Sequence, residues 1–166
     1  MLILARIACF SLLALALAGC GSYRPLYGKG PNGTDVVASL SAISVEEQHS
    51  RAGQLVRNEL LDGTSKGAVR YSVKLLVAEN VFGVAGHSGS QGVRYRYNLT
   101  AHFDVIDQAT SKSLTHGDSF SNVEFDTLNI PAADLAAQDT ARTRAAKELG
   151  QDLRLRLAAA LSAQKG

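Results

Sequence analysis

Val93-Arg94-Tyr95-Arg96-Tyr97-Asn98-Leu99-Thr100-Ala101-His102-Phe103-Asp104-Val105 is the most regular stretch of this 166-residue chain. Val93, Tyr95, Tyr97, Leu99, Ala101, Phe103 and Val105 fall on one side of a period-two repeat. Arg94, Arg96, Asn98, Thr100, His102 and Asp104 fall on the other. Successive side chains alternate only along a β-strand, so the stretch predicts one. Strict alternation also means one face on a core and one face in water, as in an antiparallel sheet covered on one side.

The neighbouring segments extend this reading. Residues 69–79 alternate too, with Val69, Tyr71, Val73, Leu75 and Val77 opposite Arg70, Ser72, Lys74 and Leu76. Residues 80–92, rich in Gly and Ser, predict a mobile loop. A turn over 107–112 leads to a fourth strand over 113–125. Its apolar register changes between Phe120 and Val123, and a bulge near Gly117 would account for the change. Upstream, 36–47 reads as a strand around Ile43 and Val45. Ser50 can cap a helix over 51–61, whose Ala52, Leu55, Val56 and Leu60 share a face, and Gly63 would stop it. Downstream, Pro131 suits a first helical turn, and 132–161 predicts a long helix. Ala141, Ala145, Leu149, Leu153, Leu157 and Leu161 form its apolar stripe, with Gly150 as its one weak point.

The order is β-α-β-β-β-α. Two amphipathic helices and a one-sided sheet predict an α+β, two-layer sandwich: a four-stranded mixed sheet with both helices packed on one face. The first strand–helix–strand step would be a parallel crossover and the remaining strands a meander. The other sheet face would stay solvated or meet a partner.

The N-terminus carries a different signal. Arg6, the apolar run 7–18 and Leu17-Ala18-Gly19-Cys20 have the form of a lipoprotein export signal. The run is too short to span a bilayer. Residues 1–19 would be the signal peptide, and Cys20 the lipidated first residue of the mature chain. Residues 20–35, with Pro25, Pro31, Gly28, Gly30 and Gly33, read as a tether, and 36–166 as one domain. Two or three acyl chains at Cys20 would anchor the protein durably, where one holds only marginally. Gly21 in place of Asp points to the outer membrane, facing the periplasm.

Composition removes several function classes. Seventeen Lys and Arg against fifteen Asp and Glu give a net charge of +2, which is no nucleic-acid signature. There is no Trp and only two Cys. Cys9 leaves with the signal and Cys20 carries lipid, so neither a disulfide nor a thiolate metal site is expected. His49, His87, His102 and His116 show no metal-type spacing. The pair His87-Ser88 has no acid placed to orient it, and His102 with Asp104 suits a cross-strand hydrogen bond better than general-base chemistry. The Gly-rich loop lacks the Lys-Ser/Thr of a phosphate-binding loop. No enzyme activity and no cofactor beyond the lipid at Cys20 are expected. What remains is the wet face of the sheet. Arg70, Lys74, Arg94 and Arg96 would form a cationic patch if their strands pair, and guanidinium forks suit phosphate. The bland alternative is that they keep the face soluble.

Four stretches resemble lipopolysaccharide-assembly lipoproteins of the LptE family. They are the lipobox followed by Tyr23-Arg24-Pro25-Leu26-Tyr27-Gly28, the segment 51–60, the segment 95–101 and the segment 141–149. The resemblance covers nearly the whole mature chain and rests on the order and spacing of these stretches. It implies an outer-membrane lipoprotein whose α/β domain plugs the lumen of a large β-barrel, LptD, assists its assembly and contacts lipopolysaccharide. It transfers no binding residue, so Arg70, Lys74, Arg94 and Arg96 stand on their own chemistry. The departure is the Gly-rich 80–92 loop. Two other readings compete: an auxiliary lipoprotein of another envelope lipid transport complex, and a secreted hydrolase using His87 or Ser88.

Overall fold

A computed structural model of the chain describes residues 40–62, 67–86 and 93–163. The signal peptide, Cys20, the tether, Gly63, His87 and Ser88 lie outside these residues. The elements are β1 (Ile43–Val45), α1 (Arg51–Leu61), β2 (Tyr71–Gly86), β3 (Val93–Asp107), β4 (Lys112–Thr127) and α2 (Pro131–Ala163). The sheet order is β1-β2-β3-β4, with β1 parallel to β2 and both later pairs antiparallel. This is the α+β mixed sheet with two helices that the pattern predicts.

The strands are longer, and the first shorter, than the sequence suggests. β2 runs on through Asn80 to Gly86, where a loop is expected, because 80–86 keep pairing with β3 (Asn80 to Asn98, Phe82 to Arg96). Pairing to an alternating partner outweighs the low strand propensity of Gly83 and Gly86. β1 keeps only three residues of the expected 36–47 strand among those described. After Val45 the chain turns away, leaving the Glu46 amide on the Val73 carbonyl at 3.1 Å and Gln48 Nε2 on the Leu75 carbonyl at 2.9 Å.

There is no bulge at Gly117. Register shifts fall between Gly83 and Ala85 and between Val105 and Ile106. Gly117 stays opposite Phe103, and a Cβ there would come within 3.2 Å of the Phe103 ring. The change of apolar register has another cause. Ser119 and Ser121 are the inward residues, and Phe120 faces out. Ser121 Oγ donates to Glu148 at 2.7 Å, and Ser119 Oγ donates to Asp152, both on α2. A buried hydroxyl costs little once it is bonded, so polar residues take inward positions there. Burial pushes the Asp152 carboxyl up, but the bonds from Ser119 and Arg156 prevail and hold it below the usual range.

The core lies between sheet and helices. Tyr97, Leu99, Ala101 and Val105 of β3 are buried, as are Val56 and Leu60 of α1. All six residues of the predicted stripe on α2 are buried with them. Ser50 caps α1 as expected, its Oγ accepting from the Gly53 amide at 3.0 Å. The far end of α1 is capped by the other helix. Arg154 donates to the carbonyls of Glu59 at 2.6 Å and Leu60 at 3.3 Å, and to that of Asp62. A cation on the last carbonyls of a helix satisfies orphan acceptors and meets the negative end of its dipole. Arg154→Leu should therefore lower stability by about 2 kcal/mol, the range for bonds to a charged donor. Chemical denaturation checks this, and an unchanged midpoint would mean water serves those carbonyls equally well.

A second tie joins sheet and helices. The buried Tyr97 hydroxyl donates to Glu79, which also accepts from Arg142 at 3.3 Å. Arg142 reaches Asp139 at 2.9 Å, and Asp139 accepts from Arg51 of α1 at 3.1 Å. Burial first, and then the Glu79 carboxylate, push the Tyr97 hydroxyl up to about 12.

Candidate partner-binding face

The helices cover only one side of the sheet. The other side, formed by β2, β3 and β4, is bare among the described residues. Strand register sets its layout in rows. Lys74 stands beside Asp104 and His116, and Leu76 beside His102 and Asp118. Further along come Ala78, Thr100 and Phe120, then three asparagines, Asn80, Asn98 and Asn122. Phe82, Arg96 and Glu124 form the next row, and Arg94 with Asp126 lies beyond it.

The rows are stitched by side chains. Arg94 grips Asp126 with two bonds, at 2.8 and 3.3 Å, and Arg96 reaches Glu124 at 2.6 Å. Asn98 donates to Asn122 at 2.6 Å. His102 Nδ1 lies 2.8 Å from Asp118, across the strands, while Asp104 accepts from Ser113 at 2.5 Å. The cross-strand bond expected at His102 therefore exists, with Asp118 as its partner. Exposed pairs of this kind contribute roughly 0–1 kcal/mol each, so they set register and hydration more than stability.

The four candidate cations do not form one patch. Lys74 sits eight residues along β2 from Phe82, the neighbour of Arg96, which is roughly 26 Å at the rise of a strand. Arg70 precedes β2, lies 3.5 Å from Asp107 and stacks over the Tyr71 ring. Only Arg94 and Arg96 are brought together. Their charge is also answered locally: Lys74, Arg94 and Arg96 share the face with Asp104, Asp118, Glu124 and Asp126. The Arg94 guanidinium is held above its ordinary range by its hydrogen bond and charge contact with Asp126. Strand alternation shows which residues face water. It does not show that acids of β4 stand opposite the arginines, because that requires the β3–β4 register. The charge pattern Glu124-x-Asp126 is the signal in the chain that could have suggested it.

The same end of the sheet carries a cleft on its inner side. The first ten residues of α2, 131–140, include none that is buried. Between this overhang and the sheet lies a cleft of about 370 Å³ lined by apolar Val81, Tyr95, Phe125 and Leu135 and by polar Thr127, Asn129, Asp134 and Gln138. Leu128, Ile130 and Leu135 are exposed around it. Among the described residues no group of three His, Cys, Asp or Glu side chains converges as a metal centre, and no helix is long and apolar enough to cross a membrane.

Solved structures that share the fold include bacterial lipoproteins. A candidate lipoprotein from Caulobacter crescentus CB15 superposes with a TM-score of 0.68 at 26% identity, over 80% of this chain and 99% of that one. A minor lipoprotein from Acinetobacter baumannii gives 0.53 at 10% identity, over 70% and 88% of the two chains, a likeness of fold alone. The rare lipoprotein B from Shewanella oneidensis, at 0.47 and 12% identity over 68% and 91%, is too distant to carry an argument. No family model and no curated protein matches the chain. The Caulobacter neighbour supports a membrane-anchored lipoprotein of the bacterial envelope, in agreement with the signal at Leu17 to Cys20.

Proposed function

We infer that this lipoprotein is a non-catalytic subunit of the outer-membrane lipopolysaccharide translocon, of the LptE type. In this reading it plugs a large LptD-like β-barrel, assists its assembly and contacts lipopolysaccharide during insertion into the outer leaflet. The observation that carries the reading is the bare sheet face: long strands, charge-balanced, and dense in paired Arg, Asn, Asp and Glu. Barrel lumens are polar. A plug surface of this chemistry gains affinity from area and many modest polar contacts. The motif order that resembles the family and the lipid anchor expected at Cys20 agree with it. Depleting the protein should leave the barrel misassembled and the cell surface short of lipopolysaccharide. Normal levels of both would contradict the reading.

In this reading the lipid contact falls to Arg94 and Arg96, whose guanidinium forks suit the phosphates of lipid A. Asp126 and Glu124 already occupy those forks, so phosphate must displace a carboxylate. Removing the competitors should help. The variant Glu124→Gln with Asp126→Asn should bind phosphorylated lipid A more tightly than the parent and lose the gain when the lipid is dephosphorylated. Equal binding by parent and variant would mean the arginines serve only the sheet.

A further inference from the structure

Across the middle of the bare face runs one row of uncharged amides. Strand register sets Asn80 beside Asn98 and Asn98 beside Asn122, one asparagine from each of the three long strands. Asparagine is depleted in strands, so three in one row run against local preference and call for a reason beyond folding. Solubility does not supply it, because the same face already carries paired Arg, Asp and Glu side chains. The row is only partly satisfied. Asn98 donates to Asn122, which leaves Asn98 Oδ1 and Asn122 Nδ2 with free capacity, while Asn80 makes no side-chain bond among the described residues. One row away, about 7 Å along the strands, stands Phe120. It is 69% exposed and meets no ring or guanidinium among the described residues. Phe82, on the other flank of the row, lies under Arg96. The asparagine row itself spans two strand gaps, about 10 Å.

We propose that the asparagine row and Phe120 bind the sugar chain of lipopolysaccharide. Each amide offers two donors and an acceptor, the complement of a hydroxyl, which both donates and accepts. An exposed aromatic ring presents a negative face to the C–H side of a sugar ring, which is apolar with weakly positive hydrogens. A phosphate finds no cation in this row, and an acyl chain laid across it would leave the amides without partners. The chemistry therefore names a hydroxyl-rich chain. Position names its source. The next row holds Arg96, and Arg94 lies beyond it, where the function proposed above places the lipid A phosphates. A sugar chain running on from those phosphates crosses the asparagines. The assignment to lipopolysaccharide rests on that reading; the preference for a sugar rests on the row itself.

Saturation-transfer NMR of the full-length lipidated chain in detergent tests this. The probe is lipid-free, dephosphorylated core oligosaccharide, and lipid A without core sugars is the second ligand. The parent should transfer saturation to the oligosaccharide. Asn80→Ala with Asn122→Ala should bind it about tenfold more weakly or worse, the loss expected for two ordinary hydrogen bonds. Phe120→Ala should weaken it too, and Phe120→Tyr, which keeps the ring, should bind like the parent. All three variants should keep the parent's far-ultraviolet circular dichroism and its binding of lipid A. An oligosaccharide that receives no saturation, or that binds parent and variants alike, overturns the proposal; if lipid A still binds, the phosphate contact survives it. Failure of the parent to bind either ligand overturns both. A peptidoglycan disaccharide bound as tightly as the core oligosaccharide overturns the assignment to lipopolysaccharide.

Discussion

Gly150→Leu should lower the stability of the domain by about 2–3 kcal/mol, the cost of forcing extra carbons into a close-packed contact. The sign is informative. In an isolated helix the same change would stabilise by roughly 1 kcal/mol, because glycine is a poor helix former. Read from sequence, Gly150 is the weak point of a long helix, and substitution there should help. In the folded protein it is where α2 meets α1. A Cβ on Gly150 would sit 2.8 Å from both Cβ and Cγ of Glu59 and 3.3 Å from the Val56 carbonyl. The helices can cross this closely because position 150 has no side chain. Thermal unfolding checks the prediction, with a drop of several degrees expected for a domain of this size. Ala159→Leu, on the exposed side of the same helix, serves as the control. A midpoint that rises in Gly150→Leu would show the crossing to be looser than described.

Cys20→Ser should abolish acylation outright. The diacylglyceryl group is expected on the cysteine sulfur, and the hydroxyl of serine does not replace it. Each buried methylene contributes about 0.8 kcal/mol, so two or three chains make an attachment that no surface contact of the domain replaces. Mass spectrometry of the native protein should find the parent cleaved before Cys20 and carrying acyl chains. The variant should keep residues 1–19 and carry none. Acylation of the variant, or an unmodified Cys20 in the parent, would remove the anchor from the account.

The fold was largely legible because its periodicities are clean. β3 alternates over its whole length, and α1 occupies the span its Ser50 cap and apolar spacing indicate. Where the reading failed, a tertiary partner had overridden a local signal. Residues 80–86 look like loop because they are rich in Gly, yet β3 holds them in the sheet. Ser119 and Ser121 look like surface because they are hydroxyls, yet Asp152 and Glu148 of α2 make them interior. The candidate site was legible in composition and not in arrangement. Alternation places Arg94 and Arg96 on the wet face. Only the register of β4 shows that Asp126 and Glu124 neutralise them, and only the sheet's length shows that Lys74 is far away.

The most direct test of the central claim is affinity purification of the tagged, lipidated chain from outer membranes in mild detergent. The account predicts that one large β-barrel dominates the co-purified material in stoichiometric amount. Recovery of an inner-membrane or periplasmic transporter component in its place, or of no barrel at all, would contradict it.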